Sequence, residues 1–302
     1  MAAGASSARR ERSRPPWRAL LAAARPRQWI KNGLVLAVPA AAGMLDEADV
    51  LRDTGLAFVA FCLASAATYL LNDLRDREAD RRHPVKRHRP IAAGEVRPAV
   101  AGAAAAVALV AALAVAAAAE LTLAAVVAAY VALTTAYSLG VKHVPVFDIA
   151  LVASGFFLRA VAGGVAADIF ISKWFLILSA GGSLFVVTAK RYAELRAVGA
   201  EAGRSRRVLT EYSEDYLRAM LATIAGVIVV AYCIWAFEAP ARESPSPFKA
   251  VSAVPFVLGI MRYGLLVDQG HGEEPEVLLL GDRTLLGLVA ACFGLLALGV
   301  VT

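Results

Sequence analysis

Long apolar runs separated by short polar stretches dominate this chain, and their lengths are those a bilayer imposes. A helix needs about 20 mainly apolar residues to cross the hydrocarbon core. Nine such runs are read, at about 29–46, 53–74, 98–118, 120–140, 146–167, 171–191, 216–237, 249–267 and 282–301. The pattern predicts an all-α polytopic membrane protein of nine transmembrane helices, with its two ends on opposite sides. Residues 1–16 are polar, basic and proline-terminated. They read as a disordered tail and not a signal peptide, because the apolar run Ala19–Ala24 is cut short by Arg25 and Arg27. Residues 17–302 read as a single nine-helix domain, with loops too short to hold a soluble one.

Composition agrees: 59% of the 302 residues are hydrophobic and 19% charged, with a mean hydropathy of +0.61, outside the range of soluble globular chains. Basic residues set the orientation. They precede the first run (Arg9, Arg10, Arg12, Arg14, Arg18, Arg25, Arg27, Lys31), fill the stretch from Arg75 to Arg97, and recur between Lys190 and Arg207. The intervening loops carry little beyond Arg52, Lys173, Arg242 and Lys249. By the positive-inside tendency the N-terminus and these loops are cytoplasmic, in a multi-pass protein of the inner (plasma) membrane. The net charge of +6 therefore describes topology and attraction to anionic lipid, and gives no sign of nucleic-acid binding. The alanine-rich third and fourth runs let backbones approach closely, within one chain or between copies in a homo-oligomer. Cys62, Cys233 and Cys292 stand alone in apolar runs and read as small hydrophobes. The loop 268–281 is acidic, either a solvated turn or a lid or subunit contact near a site.

Candidate chemistry lies on the cytoplasmic side. In Asn72-Asp73-Leu74-Arg75-Asp76-Arg77-Glu78-Ala79-Asp80, a step of about 100° per residue places Asp73, Asp76 and Asp80 on one helical face. Hard oxygen donors suit Mg²⁺, which is usually held by one or two carboxylates plus phosphate oxygens. The face reads as a diphosphate–metal site; the plainer alternative is a solvated helix end paired with Arg75, Arg77 and Arg81. Next comes a basic loop with Lys86, Arg87 and Arg89, stiffened by Pro84 and Pro90. Beside a metal, such cations supply the remaining donors to a diphosphate and stabilise its departure. Gln28, Lys31 and Asn32 are either interfacial anchors with Trp29 or the edge of a cavity. Tyr137 and Lys142 are candidate phosphate donors, and Glu194 is a candidate for metal or hydroxyl contact. Asp148 and Arg159 share a face of the fifth run, yet about 16 Å of rise prevents their pairing. Arg159 is expected to find its partner on another helix or in water.

The string N-D-x-x-D-x-x-x-D, followed by a basic loop rich in His, Pro, Lys and Arg and closed by Gly94, resembles the first aspartate motif of the UbiA-type intramembrane prenyltransferases. The resemblance covers the whole chain in helix number and motif order. It implies nine helices around a cavity open to the cytoplasm and to lipid, with Mg²⁺ and a diphosphate on Asn72, Asp73, Asp76 and Asp80. Tyr137-Ser138-Leu139-Gly140-Val141-Lys142 is similar to the family's segment after the fourth span. The chain departs from the family after the sixth span. A second aspartate motif is usual there, whereas this chain reads Lys190-Arg191-Tyr192-Ala193-Glu194-Leu195-Arg196. Fewer acids and more bases suit a ligand with negative charge beyond its diphosphate. That segment, with Arg25–Asn32 and the stretch from Arg262 to Glu276, resembles the phosphoribosyl-transferring branch of the family in mycobacteria and their relatives.

The resemblance implies transfer of 5-phosphoribose from 5-phosphoribosyl diphosphate to a polyprenyl (decaprenyl) phosphate, releasing diphosphate, on the way to the arabinose donor of the cell wall. Lys190, Arg191 and Tyr192 would join Lys142 and Arg87 in holding phosphates. The alternative enzyme is a prenyl diphosphate to aromatic acceptor transferase, which should carry the missing second aspartates. A transporter should show glycine- or proline-broken helices in matching positions, and Pro39 and Pro255 are the candidates.

Overall fold

The computed structural model describes residues 15–198, 207–238, 247–272 and 275–301, and every regular element among them is helical. The tail expected over residues 1–16 falls outside the described residues except for its last two, of which Pro16 opens helix α1 (Pro16–Ala23). Parts of the third basic cluster, together with Glu273 and Glu274, also lie outside them.

Seven helices among the described residues are long and apolar enough to cross a membrane. These are α3 (Ala48–Arg75), α5 (Pro98–Ala119), α6 (Leu121–Leu139), α7 (Phe147–Ala166), α8 (Lys173–Val198), α9 (Glu214–Phe237), and α10 (Pro247–Val251) with α11 (Ala253–Asp268) taken together. The last expected span is a shorter apolar helix, α13 (Arg283–Val301), preceded by α12 (Pro275–Gly281). The first, 29–46, is not one helix: Pro26–Leu36 is a 3₁₀ segment and only Ala37–Ala41 (α2) is α-helical. A window of apolar residues does not register Pro26, Gly33 and Pro39, which interrupt regular hydrogen bonding. Irregular backbone at membrane depth has to be buried in protein. Here it lies against α7 at Gly163, where an added Cβ would come within 1.7 Å of the Val35 carbonyl oxygen.

Local sequence explains the helix ends. Pro98 sits at the first position of α5, where its missing N–H is no loss. Glu120 alone separates α5 from α6 and caps the latter, its carboxylate accepting from the Thr122 amide. Ser213 caps α9 through the Tyr216 amide. Along α5 the buried residues are Ala101, Ala105, Ala112 and Ala116, a small-residue stripe that lets neighbouring helices approach closely. Val100, Val107 and Val110 of the same helix face outward. Of four hydrophobic clusters among the described residues, α7 serves the two largest: Ala162 and Ala166 pack with α3, α5 and α6, while Ile149 and Ala153 pack with α8, α9 and α11.

Candidate functional site

The acidic face sits where α3 gives way to a short continuation, α4 (Arg77–Arg82). The helix loosens at Asp76 (φ −83°, ψ 3°), yet the Asp76 amide donates to the Asn72 carbonyl at 2.9 Å and the Asp80 amide to the Asp76 carbonyl at 2.8 Å. Asp73 and Asp80 are buried, Asp76 and Asn72 half-buried. Every one of the three acids meets a cation. Arg89 Nη1 donates to Asp73 Oδ1 at 3.1 Å and to Asp80 Oδ2 at 2.7 Å. Lys142 Nζ reaches Asp76 Oδ2 at 3.2 Å from the turn that follows Gly140. Arg25 Nη2 reaches Asp73 Oδ1 at 2.5 Å.

The basic loop is folded by its own side chains. His83 Nδ1 accepts from the Val85 and Lys86 amides, which starts the 3₁₀ turn Lys86–His88. Arg81 Nε donates to the Ala92 carbonyl at 3.1 Å, and Gly94 (φ +82°) turns the chain toward α5. This delivers Arg89 to the acids, with Lys86 half-buried beside it and Arg87 exposed.

Among the described residues no three acidic, histidine or cysteine side chains converge as a ready-made metal cluster. The chemistry of the donors still fits a divalent ion: two buried carboxylates already bracket one positive charge, the Arg89 nitrogen, with a half-buried third carboxylate one turn away.

Asn32 lies deeper, fully buried, in a network around Arg159 of α7. Arg159 Nε donates to Asn32 Oδ1 at 2.6 Å, Nη1 to the Gly155 carbonyl at 2.7 Å, and Nη2 to Tyr130 OH at 2.8 Å and Ser65 Oγ at 3.1 Å. The guanidinium also lies over the Tyr130 ring, 4.5 Å from its centroid. All four oxygens are neutral, so a full charge is buried on hydrogen bonds alone, and its partners stand on other helices as its burial required. Through Asn32 the network pins the 3₁₀ segment, whose flank carries Gln28 and Lys31, both half-buried, and ends at Arg25.

A second cluster joins the start of α7 to the end of α8. Arg191 Nε donates to the fully buried Asp148 at 2.7 Å and Nη1 to Glu194 at 2.6 Å. Tyr212 OH donates to Asp148 Oδ1 at 2.6 Å while accepting from the Val146 amide at 2.5 Å. Burial, then the hydrogen bond to Asp148, pushes the Tyr212 phenol well above its ordinary pKa. Tyr137 is half-buried near the end of α6. Tyr192 is buried and donates to Asp268 Oδ1 at 2.8 Å, and Arg196 also meets Asp268. The start of the 268–281 loop is thereby tied to α8. Lys190 is half-buried on the same helix.

The structure thus gathers Asp73, Asp76, Asp80, Arg89 and Lys142, joins Arg191 to Glu194 in a second cluster, ties Tyr192 to Asp268, and buries Asn32 in the Arg159 network. Arg25 and Tyr212 are the residues sequence reasoning missed. Arg25 reads in the sequence as a topology cation and as the first residue of the Arg25–Asn32 stretch, with no acid assigned to it; its place directly before Pro26 is the signal that sets it apart. A separate apolar cavity of about 850 Å³ lies between α7, α8, α9, α11 and α13, lined by Phe156, Phe175, Tyr232, Phe256 and Leu288 among others, with none of the three acids in its wall.

The long apolar helices and the acids paired with cations suit an intramembrane transferase, and the chain belongs to the UbiA prenyltransferase family, whose model matches residues 34–286. It is an integral membrane protein. It is 44% identical over 286 residues to a decaprenyl-phosphate phosphoribosyltransferase of Mycolicibacterium smegmatis, covering 91% of this chain and 90% of that one. A protein of the same name from Mycobacterium tuberculosis is 46% identical over 268 residues, 87% of this chain and 88% of its own. Among solved structures, a UbiA homologue from Archaeoglobus fulgidus bound to GPP and Mg²⁺ superposes with a TM-score of 0.71 at 18% identity, over 94% of this chain and 98% of that one.

Proposed function

We propose that this protein transfers 5-phosphoribose from 5-phosphoribosyl diphosphate to a polyprenyl phosphate, decaprenyl phosphate in its relatives' name, releasing diphosphate for a cell-wall precursor pathway. The observation that carries the reading is identity of 43–46% over most of the chain to relatives of that name. The site favours it over a prenyl diphosphate to aromatic transferase. Where that enzyme would present further aspartates, Glu194 is bonded to Arg191, and Asp148 is sealed between Arg191 and Tyr212.

Mg²⁺ would be held by Asp73, Asp76 and Asp80, where it would neutralise the departing diphosphate. Lys86, Arg87, Arg89 and Lys142 would supply donors to the diphosphate and the 5-phosphate, with Lys190, Arg191, Tyr192 and Tyr137 on the opposite wall. Gln28, Lys31, Asn32 and Asn72 would shape the floor. The attacking atom is a phosphate oxygen, anionic near neutral pH, so the chain need provide no general base. Its residues hold the two reactants in line while the bond from the anomeric carbon to diphosphate breaks and that to the lipid phosphate forms. The configuration at that carbon inverts. The apolar cavity beside α7 can take an isoprenoid chain. Residues 17–302 act as one transmembrane domain in the plasma membrane, with the N-terminus and site on the cytoplasmic side. Copies can associate through alanine-rich α5 and α6.

Membranes containing the protein, given labelled 5-phosphoribosyl diphosphate and a polyprenyl phosphate, should move sugar label into lipid in a Mg²⁺-dependent way. A prenyl diphosphate user would incorporate none. Asp73→Asn with activity and Mg²⁺ dependence intact would undo the metal assignment, and retention at the anomeric carbon by NMR would sink single displacement.

A further inference from the structure

Arg25 and Arg89 donate to the same oxygen of Asp73, at 2.5 and 3.1 Å, and Arg89 also reaches Asp80 at 2.7 Å. A divalent cation bound by these acids shares both carboxylates with the guanidiniums, which hold Asp73 Oδ1 and Asp80 Oδ2. A Mg²⁺ about 2.1 Å from a carboxylate oxygen stands within a few ångströms of the guanidiniums on the same carboxylate, and like charges at that separation repel. Charge counting sharpens the point. Two acids and two arginines sum to zero, so a bare Mg²⁺ adds two uncompensated positive charges to a partly buried site, whereas a metal diphosphate brings its own negative charge. Arg25 is built to serve in this way. It has a left-handed backbone (φ 54°) directly before Pro26, a conformation disfavoured for a bulky residue before proline. Such strain persists where the surroundings impose it, often at functional positions. The Gln28 amide donates to the Arg25 carbonyl, the Trp29 indole to Ala24, and the guanidinium rests over the Tyr69 ring at 4.9 Å. Its side chain is 29% exposed, at the edge of the site and not sealed within it.

We propose that Arg25, with Arg89, is an exchangeable counter-ion: it neutralises Asp73 until a diphosphate arrives with its Mg²⁺, then transfers to the diphosphate oxygens as the metal takes the carboxylate. This rests on the Mg²⁺–diphosphate reading of the site. It makes Arg25 a further substrate-binding residue, and it makes cation and diphosphate bind cooperatively.

The test uses the full-length protein in detergent, with Mn²⁺ alone followed by electron paramagnetic resonance, and labelled inorganic diphosphate in saturating Mg²⁺ followed by filter binding. Arg25→Gln is expected to tighten Mn²⁺ and weaken Mg²⁺–diphosphate, each about tenfold. Opposite signs are the signature, because an arginine that only braces the fold would weaken both. Mn²⁺ binding that is unchanged or weaker in Arg25→Gln overturns the proposal. Arg25→Lys keeps the charge but loses the stacking on Tyr69, and should fall between the parent and Arg25→Gln on both measures. If it instead matches Arg25→Gln while remaining monodisperse, charge is not the operative property and the proposal falls. A parent protein that binds neither probe takes the proposed function down with it.

Discussion

Replacing Arg159 by lysine or by methionine separates two accounts of its buried charge. The guanidinium donates to four neutral oxygens on Asn32, Ser65, Tyr130 and Gly155. Lysine keeps the charge with three donors and no planar fork, so at least one acceptor drops out. A buried acceptor left without its donor beside a retained charge costs about 1–3 kcal/mol, which is the loss expected of Arg159→Lys. Methionine loses all four bonds, but bonds between membrane helices average about 0.6 kcal/mol each. Removing the charge recovers about 2.5–3.5 kcal/mol of insertion penalty. Ser65 Oγ already lies 3.3 Å from Tyr130 OH and 3.4 Å from Asn32 Oδ1, so the polar groups left behind can satisfy one another. Arg159→Met is therefore expected within about 1 kcal/mol of the parent. Thermal melting, followed by loss of the monodisperse peak in size exclusion, should rank parent and Met close together with Lys clearly below. A Lys variant as stable as the parent beside a collapsed Met variant would refute this: the site would then be using the charge itself.

Other substitutions probe the remaining packing. Gly163→Ala places a methyl group 1.7 Å from the Val35 carbonyl oxygen, so melting should fall by more than the 1–3 kcal/mol usual for overpacking, about 3 or above, and sugar transfer should fall with it. Gly182→Ala, with nothing within 4 Å, should melt at or slightly above the parent. Asp148→Asn uncouples a buried pair from Arg191 and should cost about 3 kcal/mol in the same assay, the low end for such pairs because Glu194 remains on the guanidinium. Tyr212→Phe leaves the Val146 amide without its acceptor and should cost about 1–3 kcal/mol.

Membrane character, most of the spans and the acidic face were legible because each depends on residues near one another in sequence. Asp73, Asp76 and Asp80 keep their helical spacing even though the backbone loosens between them. The separation of Asp148 from Arg159 was legible too, from rise alone. Their actual partners were not: Asp148 finds Arg191 across 43 positions and Arg159 finds Asn32 across 127, distances over which no periodicity speaks. The run 29–46 is not the helix its apolar content suggests, for a different reason. Apolar content measures whether a stretch tolerates lipid, whereas its backbone is set by two prolines, a glycine and the groove offered by Gly163 and Gly164. Arg25 escaped notice because one arginine among many basic residues reads as topology until a fold shows which acid it meets.

The order of residues around Arg159 bears on how the protein is made. Asn32, Ser65, Tyr130 and Gly155 all precede it in the chain. During synthesis from the N-terminus, the helices bearing its acceptors enter the membrane first, so the charged helix joins a bundle whose polar sockets are already in place. A charge delivered before its acceptors would face lipid alone, at the insertion penalty of an isolated arginine. A circular permutant opening with α7 should therefore insert poorly in a glycosylation-tag assay, and efficient insertion would show that the order is immaterial. Tucked in the bundle far from solvent, this one guanidinium ties the sequence of biogenesis to the geometry of the finished fold.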